Sequence, residues 1–243
     1  MSKQFWGVLA VIAIIVVGAI WITNKDNATT GSNNAQPTNH VEGSASTGVK
    51  LVEYGDYQCV YCTEYFPIVK QVVAQYSSQI LFQFRNLPLT SLHPNAFAGA
   101  RAAEAAALQG KFWQMHDLLY EQGELYYSNN TSTWDTAANP ENDFVQYAQQ
   151  LGLNVTKFKQ DYQGNAVNNS INADVAAFNK TGAQEATPSF FLDGKQVQPT
   201  DTVASFDSLI NAAITQKTGK KATTPSTTTT TPSSSSTTDT SKQ

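Results

Sequence analysis

An α/β domain interrupted by a block of helices is predicted by three features of the chain. A strand, a helix and a second strand follow one another over residues 49–89. Helical periodicity then runs from His93 to Thr181. A strand hairpin and a closing helix occupy residues 187–214. The order is βαβ, a helical block, then ββα, and a strand pair joined by a helical crossover marks a sheet with parallel strands.

Each element has its own local reason. "VKLVEYGDY" (49–57) reads as a strand running into a loop. The helix that follows, from about Cys59 to Tyr76, puts Phe66, Val69, Val72, Val73 and Tyr76 on one face, the spacing of a 3.6-residue period. Pro67 lies inside it and predicts a kink. "ILFQFRNLPL" (80–89) alternates as a second strand, with Leu81 facing away from Phe82 and Phe84, and the helix alone suffices as the crossover for parallel pairing. Three apolar stripes then recur at helical spacing: Phe112, Met115 and Leu119; Phe144, Tyr147, Ala148 and Leu151; Val167, Ile171, Val175 and Phe178. About four helices are expected here, punctuated by Gly110, the 129–140 loop, and Gly152 with Asn154. "TPSFFLDGKQVQ" (187–198) carries a tight Asp-Gly turn between two short strands. Val203, Phe206, Ile210 and Ile214 line one face of a final helix.

The flanks are of different composition. From Phe5 to Ile22 every residue is apolar or glycine, about the minimum length that crosses the hydrocarbon layer of a bilayer. Residues 1–23 therefore read as a membrane anchor or a secretion signal, and the continuation of the apolar run through Trp21, past the small residues of "VGA", favours an uncleaved anchor. A large domain after a first hydrophobic segment is exported, so the expectation is a single-pass protein of the cell membrane with its folded part on the extracytoplasmic side. Residues 24–46 hold no aromatic residue and one branched aliphatic, Val41, too little to fold on. They read as a flexible tether with a reach of roughly 25 Å. The folded domain is expected over 47–217, with its helical insertion at about 91–181, and 218–243 reads as a disordered tail rich in Thr and Ser. The net charge of −4 and the lack of a basic patch exclude a nucleic-acid partner.

Two cysteines occur, Cys59 and Cys62, in "GDYQCVYCTEYFPIV". As a structural staple they would close a very short loop and contribute little. As a zinc site they would need two more ligands, and only His40, His93 and His116 are on offer, with no second paired motif. A redox pair has more physical support. At a helix N-terminus the free N–H groups and the macrodipole favour an anion, so Cys59 is stabilised as thiolate, the nucleophilic form. Cys62, one turn on, can resolve a mixed disulfide on Cys59. No metal and no cofactor is expected.

The blocks "LVEYGDYQCVYCTEYFP", "NLPLTSLHPNAFAGARAAEAA", "GKFWQMHDLLY" and "ATPSFFLDGK", in this order, resemble the membrane-anchored DsbA-like thiol-disulfide oxidoreductases. The resemblance covers roughly Val49 to Ile214 and implies an α/β thioredoxin-like fold with an inserted helical domain, because the stretch between Cys62 and Pro188 is too long for a plain thioredoxin. It implies that Cys59 is the exposed nucleophile and Cys62 the buried resolving partner of a redox-active disulfide, and that Pro188 is a cis-proline facing them. It further implies that Thr187 offers its backbone to an extended substrate segment beside Val60 and Tyr61, and that Glu53 is a buried acid relaying protons to Cys62. His93 and His116 also match family positions; a His-Pro at a helix start and a His within an apolar helix read as structural. One departure stands out. Neither Val60 nor Tyr61 supplies a positive charge or an imidazole to the thiolate, so the disulfide should be less oxidising than the strongest members, between about −120 and −270 mV.

The function implied is a protein disulfide oxidoreductase that introduces disulfides into exported, cysteine-containing proteins and is reoxidised by a quinone-linked thiol oxidase of the membrane. It would act as a monomer, since the tether has no material for a dimerisation domain. A reductase or isomerase running electrons the other way is the alternative enzyme, and a tethered peptide-binding chaperone with incidental cysteines is the alternative from another class.

Overall fold

The computed structural model of the chain describes residues 35–129 and 133–223. Five strands form one sheet: β1 (His40–Gly43), β2 (Val49–Gly55), β3 (Ile80–Asn86), β4 (Ser189–Leu192) and β5 (Lys195–Val197), in the order β1-β3-β2-β4-β5. β2 and β3 run parallel and are joined by α1 (Val60–Tyr76); the other pairings are antiparallel. Asp193 and Gly194, between β4 and β5, have φ of 50° and 80°, the left-handed conformation that a two-residue Asp-Gly turn requires.

Alternation along β2 divides the core in two. Val49 and Leu51 share their face with Ile80, Phe82 and Phe84 of β3 and are covered by Val69, Val72 and Tyr76 of α1 and by Phe206, Ile210 and Ile214 of α7 (Val203–Thr218). The opposite face, with Val52, Tyr54 and Phe191, receives Val175 and Phe178 of α6 (Asn165–Asn179). Each large apolar side chain fully buried in this way contributes roughly 1.5–3 kcal/mol. Glu53, two residues on from Leu51, falls on the α1 side, where its charge reaches the Cys62 thiol.

The insertion between β3 and β4 consists of α2 (Ala96–Ala107), α3 (Phe112–Asn129), α4 (Glu141–Gln150), α5 (Val155–Tyr162) and α6. These are five helices rather than about four. The additional one is short: α5 is started by Asn154, whose side chain accepts from the Lys157 N–H, and it buries Phe158 and Tyr162.

Two boundaries differ from expectation. The tether assigned to 24–46 is part of the fold from Pro37 onward. His40–Gly43 pairs with β3, and Thr38 donates from both N–H and hydroxyl to the buried Asp174 carboxylate, at 2.7 Å each. His40 lies 2.8 Å from Glu104 and stacks on Phe112 with ring centroids 3.4 Å apart. Polar contacts and an edge-strand ladder hold this segment, and neither needs the apolar surface that it lacks. At the other end the domain continues past 217, and Thr223 exchanges hydrogen bonds of 2.7 and 2.9 Å with the Gln79 side chain. The anchor expected at 1–23, the tether over 24–34 and most of the 218–243 tail lie outside the described residues, among which no helix is long and apolar enough to cross a membrane.

Candidate functional site

The cysteine pair stands where β2 gives way to α1. Cys59 is the N-cap residue of α1, with extended φ and ψ of −81° and 123° and no side-chain cap, so the first free N–H groups of the helix are left for its sulfur. Asp56 shapes the approach. Its carbonyl accepts from Cys59 N–H at 3.1 Å, its own N–H donates to Cys62 Sγ at 3.5 Å, and its Oδ1 accepts from Gln58 N–H at 2.8 Å. Gln58 in turn ties the loop to the insertion, donating to the Asp135 carbonyl at 2.6 Å and accepting from Asn95 N–H at 2.6 Å.

Both cysteines are free thiols in the structure, and both are buried. Cys59 is 4% exposed against 0% for Cys62, so the expected exposed nucleophile is nearly covered. The cover comes from the β4 side, where the Cys59 thiol donates to the Thr187 carbonyl at 3.4 Å. The Thr187–Pro188 bond is cis, as the resemblance implied.

Electrostatics separate the two thiols. The Cys62 thiol, donating to the Cys59 sulfur, is the largest influence bringing Cys59 down to about 6; burial opposes it, the Thr187 side chain and the Cys62 N–H reinforce it, and the Asp56 charge opposes it. Burial, then the Cys59 partner, pushes Cys62 well above an ordinary thiol. Glu53 sits mid-strand between Phe84 of β3 and Phe190 of β4, both buried, and burial raises it to about 8. It also lines a cavity of about 420 Å³ with Phe66, Trp113 and Tyr120, which extends to Lys70 and Asp117, an ion pair whose lysine side chain is half exposed.

Tyr61 is 61% exposed. With Tyr65, Thr187, Pro188, Phe190 and Val197 it lines a groove of about 250 Å³ along the β4–β5 side of the pair. Val60 faces instead a second groove beside Pro67 and Glu124. Cys59, Cys62, Glu53, Thr187, Pro188 and Tyr61 are thus brought together, and Val60 lies at the margin.

His116 is buried, bonded through Nδ1 to the Tyr57 hydroxyl at 3.1 Å, and desolvation lowers it to about 3, so it is a neutral core residue. His93 is different. Its Nδ1 lies 2.8 Å from Asp56 Oδ2, which also accepts from Leu89 N–H at 2.8 Å. The Asp56 hydrogen bond, and in smaller measure the Asp56 and Cys59 charges, raise His93 above its ordinary value. Sequence reasoning named neither Asp56 nor this link. The Gly-Asp step ending the strand and the His-Pro opening the next helix are its only local traces.

A family model described as thioredoxin matches residues 35–212. Among solved structures, a thioredoxin-like oxidoreductase from Silicibacter pomeroyi shares 26% identity at a TM-score of 0.59, over 73% of this chain and 93% of that one. The α-DsbA1 of Wolbachia pipientis shares the fold at 16% identity and a TM-score of 0.60, over 74% of this chain and 93% of that one. Of curated proteins, the Na(+)/H(+) antiporter NhaA 3 of Salinispora tropica is 36% identical over 158 residues, 65% of this chain and 22% of that protein. NhaA 1 of Salinispora arenicola is 34% identical over 178 residues, 72% and 24%. The chain spans about a quarter of the length of these curated relatives.

Proposed function

The chain belongs to the thioredoxin family, and on that premise we propose that it oxidises the thiols of exported proteins by disulfide exchange at Cys59 and Cys62. The observation that carries this reading is the asymmetry of the pair. One thiol at a helix N-cap is held near 6, its neighbour is held far higher, and a backbone carbonyl at Thr187 stands against the first.

In the oxidised protein a substrate thiolate attacks Cys59 Sγ. The bond between the substrate sulfur and Cys59 forms, the Cys59–Cys62 bond breaks, and Cys62 leaves as a thiolate that takes a proton. Glu53, raised to about 8 and mostly protonated at neutral pH, is the donor, and the cavity reaching toward Lys70 and Asp117 lets it be reprotonated. A second substrate thiolate then attacks the substrate sulfur of the mixed disulfide, and Cys59 departs as the stabilised thiolate. Two electrons pass from the substrate dithiol to the pair. The substrate segment lies extended along Thr187, Pro188 and the Tyr61 groove, its main chain pairing with Thr187. Reoxidation falls to a quinone-linked thiol oxidase of the membrane, the domain being held on the extracytoplasmic side as a monomer.

The test offers the oxidised protein to a reduced, unfolded polypeptide with two cysteines. Stoichiometric disulfide formation is expected, abolished by Cys59→Ser, and Cys62→Ser should accumulate a mixed disulfide on Cys59. Unchanged activity in the Cys59→Ser protein would refute the reading. The redox state of the pair in its native compartment, trapped by acid and alkylation, sets direction: mostly oxidised for a donor, mostly reduced for a reductase or isomerase.

A further inference from the structure

The Val60–Tyr61 dipeptide brings no positive charge to the Cys59 thiolate, yet a buried carboxylate, Asp56, stands beside it. The Asp56 side chain is 0% exposed. An unpaired anion there would work against a second anion on Cys59. Asp56 is not unpaired. The same residue whose main chain contacts both cysteines holds His93 by its side chain at 2.8 Å. The His93 side chain is 24% exposed, open enough to exchange protons with solvent. The loop that carries it is pinned at both ends: Leu87 N–H donates to the Gly55 carbonyl at 2.8 Å and Leu89 N–H to Asp56 Oδ2 at 2.8 Å, and at the far end Asn95 N–H donates to the Gln58 side-chain carbonyl at 2.6 Å.

We propose that His93 is a redox-linked positioning residue, which takes up a proton opposite the Cys59 thiolate when the pair is reduced and releases it when the disulfide re-forms. It thereby supplies, from the loop after β3 and through Asp56, the positive charge that the dipeptide between the cysteines lacks. Reduction takes two electrons, in the exchange reading from the substrate's two thiols. One proton goes to Cys62, Cys59 remains a thiolate, and in the pH window between the two His93 titrations a second proton goes to His93. The charged or titratable groups around His93 are Asp56 and Cys59, with Cys62 and then Glu53 beyond them on the α1 and β2 side, and Asp135 across Asn95 on the insertion side. Coupling is reciprocal: whatever factor the thiolate adds to the proton affinity of His93, protonated His93 adds to the stability of the thiolate.

The proposal rests on the exchange reading for its biological consequence but not for its test, which needs no substrate. The imidazole signals of His93 are titrated by NMR in the oxidised, the chemically reduced and the Cys59→Ser proteins. His93 should bind its proton roughly three- to tenfold more tightly in the reduced wild type than in the other two. In His93→Gln, which keeps a hydrogen-bond donor toward Asp56 without a charge, the pH profile of Cys59 alkylation should move up by the same factor. The potential, measured against glutathione, should fall by up to about 30 mV, the equivalent of tenfold for a two-electron couple. Identical His93 titrations in all three proteins, or a His93→Gln protein with wild-type Cys59 profile and potential, would overturn the proposal and leave His93 a hydrogen-bonding peg. If His93→Gln does not fold, the wild-type titrations decide alone. A pair that never equilibrates with glutathione would instead sink the exchange reading, with the His93 linkage still measurable in the reduced protein.

Discussion

Cys59 and Cys62 are the same side chain three positions apart, and their surroundings make them chemically unlike. Cys59 receives the Cys62 S–H and N–H at the head of α1 and is lowered to about 6, while Cys62 has its sulfur in the core and is raised. Brief iodoacetamide treatment of the reduced protein should therefore label Cys59 alone, with a rate that rises through a midpoint near pH 6; peptide mass mapping reads the site, and label on Cys62 would contradict the assignment. Glu53 makes a prediction about stability. Its folded value of about 8 stands above the ordinary 4.5, so across that interval the folded chain binds a proton that the unfolded chain has lost. Stability then declines as pH rises through the window and levels off above it. Glu53→Gln should remove this decline. Relative to wild type it should gain on the order of 3–5 kcal/mol at high pH and little below pH 4, read from denaturant titrations of the reduced proteins. Parallel curves for the two would show that burial does not hold the proton.

Among the elements, α2 decides how closely the insertion approaches the active-site loop. It is mostly alanine, and Gly99 is the point of closest packing: a Cβ there would stand 2.9 and 3.0 Å from Trp134 ring atoms and 3.3 Å from Tyr57 Cβ. Trp134 cannot yield easily. It is fully buried and its indole N–H donates to the Leu119 carbonyl at 3.2 Å. Gly99→Ala gains about 1 kcal/mol of helix propensity and loses roughly 1–3 kcal/mol to overpacking. A net fall in Tm is expected, and because Asn95 and Gln58 tie the Trp134 loop to the cysteine loop, Cys59 alkylation should shift with it. A raised Tm would show that the ring has room to move.

For the whole molecule, the segment before β2 acts as a strap across sheet and insertion. Asp174 of α6 is 0% exposed, and its carboxylate accepts from Thr38 twice and from the Asn86 N–H and side-chain amide of β3. The same Asn86 amide donates to Glu104 of α2, which His40 also contacts. Removing residues 1–46 would leave Asp174 and Glu104 buried with part of their partners gone. It should cost on the order of 3–5 kcal/mol, since a buried charge that loses partners is expensive. Comparing the truncated and full-length chains by urea denaturation measures this; equal midpoints would restore the segment to the status of a tether.

What the amino-acid order determined alone is what repeats locally. Alternation in 49–55 and 80–86, helical spacing in 60–76 and 203–218, and the Asp-Gly turn at 193–194 each appear where the neighbouring residues call for them. The placement of Cys59 at a helix head belongs to the same class, because strand, loop and helix there are contiguous. Only the tertiary structure decided what depends on distant partners. Thr187 reaches Cys59 across 128 positions and Asp174 reaches Thr38 across 136, and neither polar contact leaves a periodic trace. Glu53 is raised because β3 and β4 set Phe84 and Phe190 on either side of it, and His93 meets Asp56 because the parallel pairing of β2 and β3 brings their two end loops side by side. Local periods report which face a residue turns inward; the charge, burial and partners it meets there are set by segments that the chain brings back from far along its length.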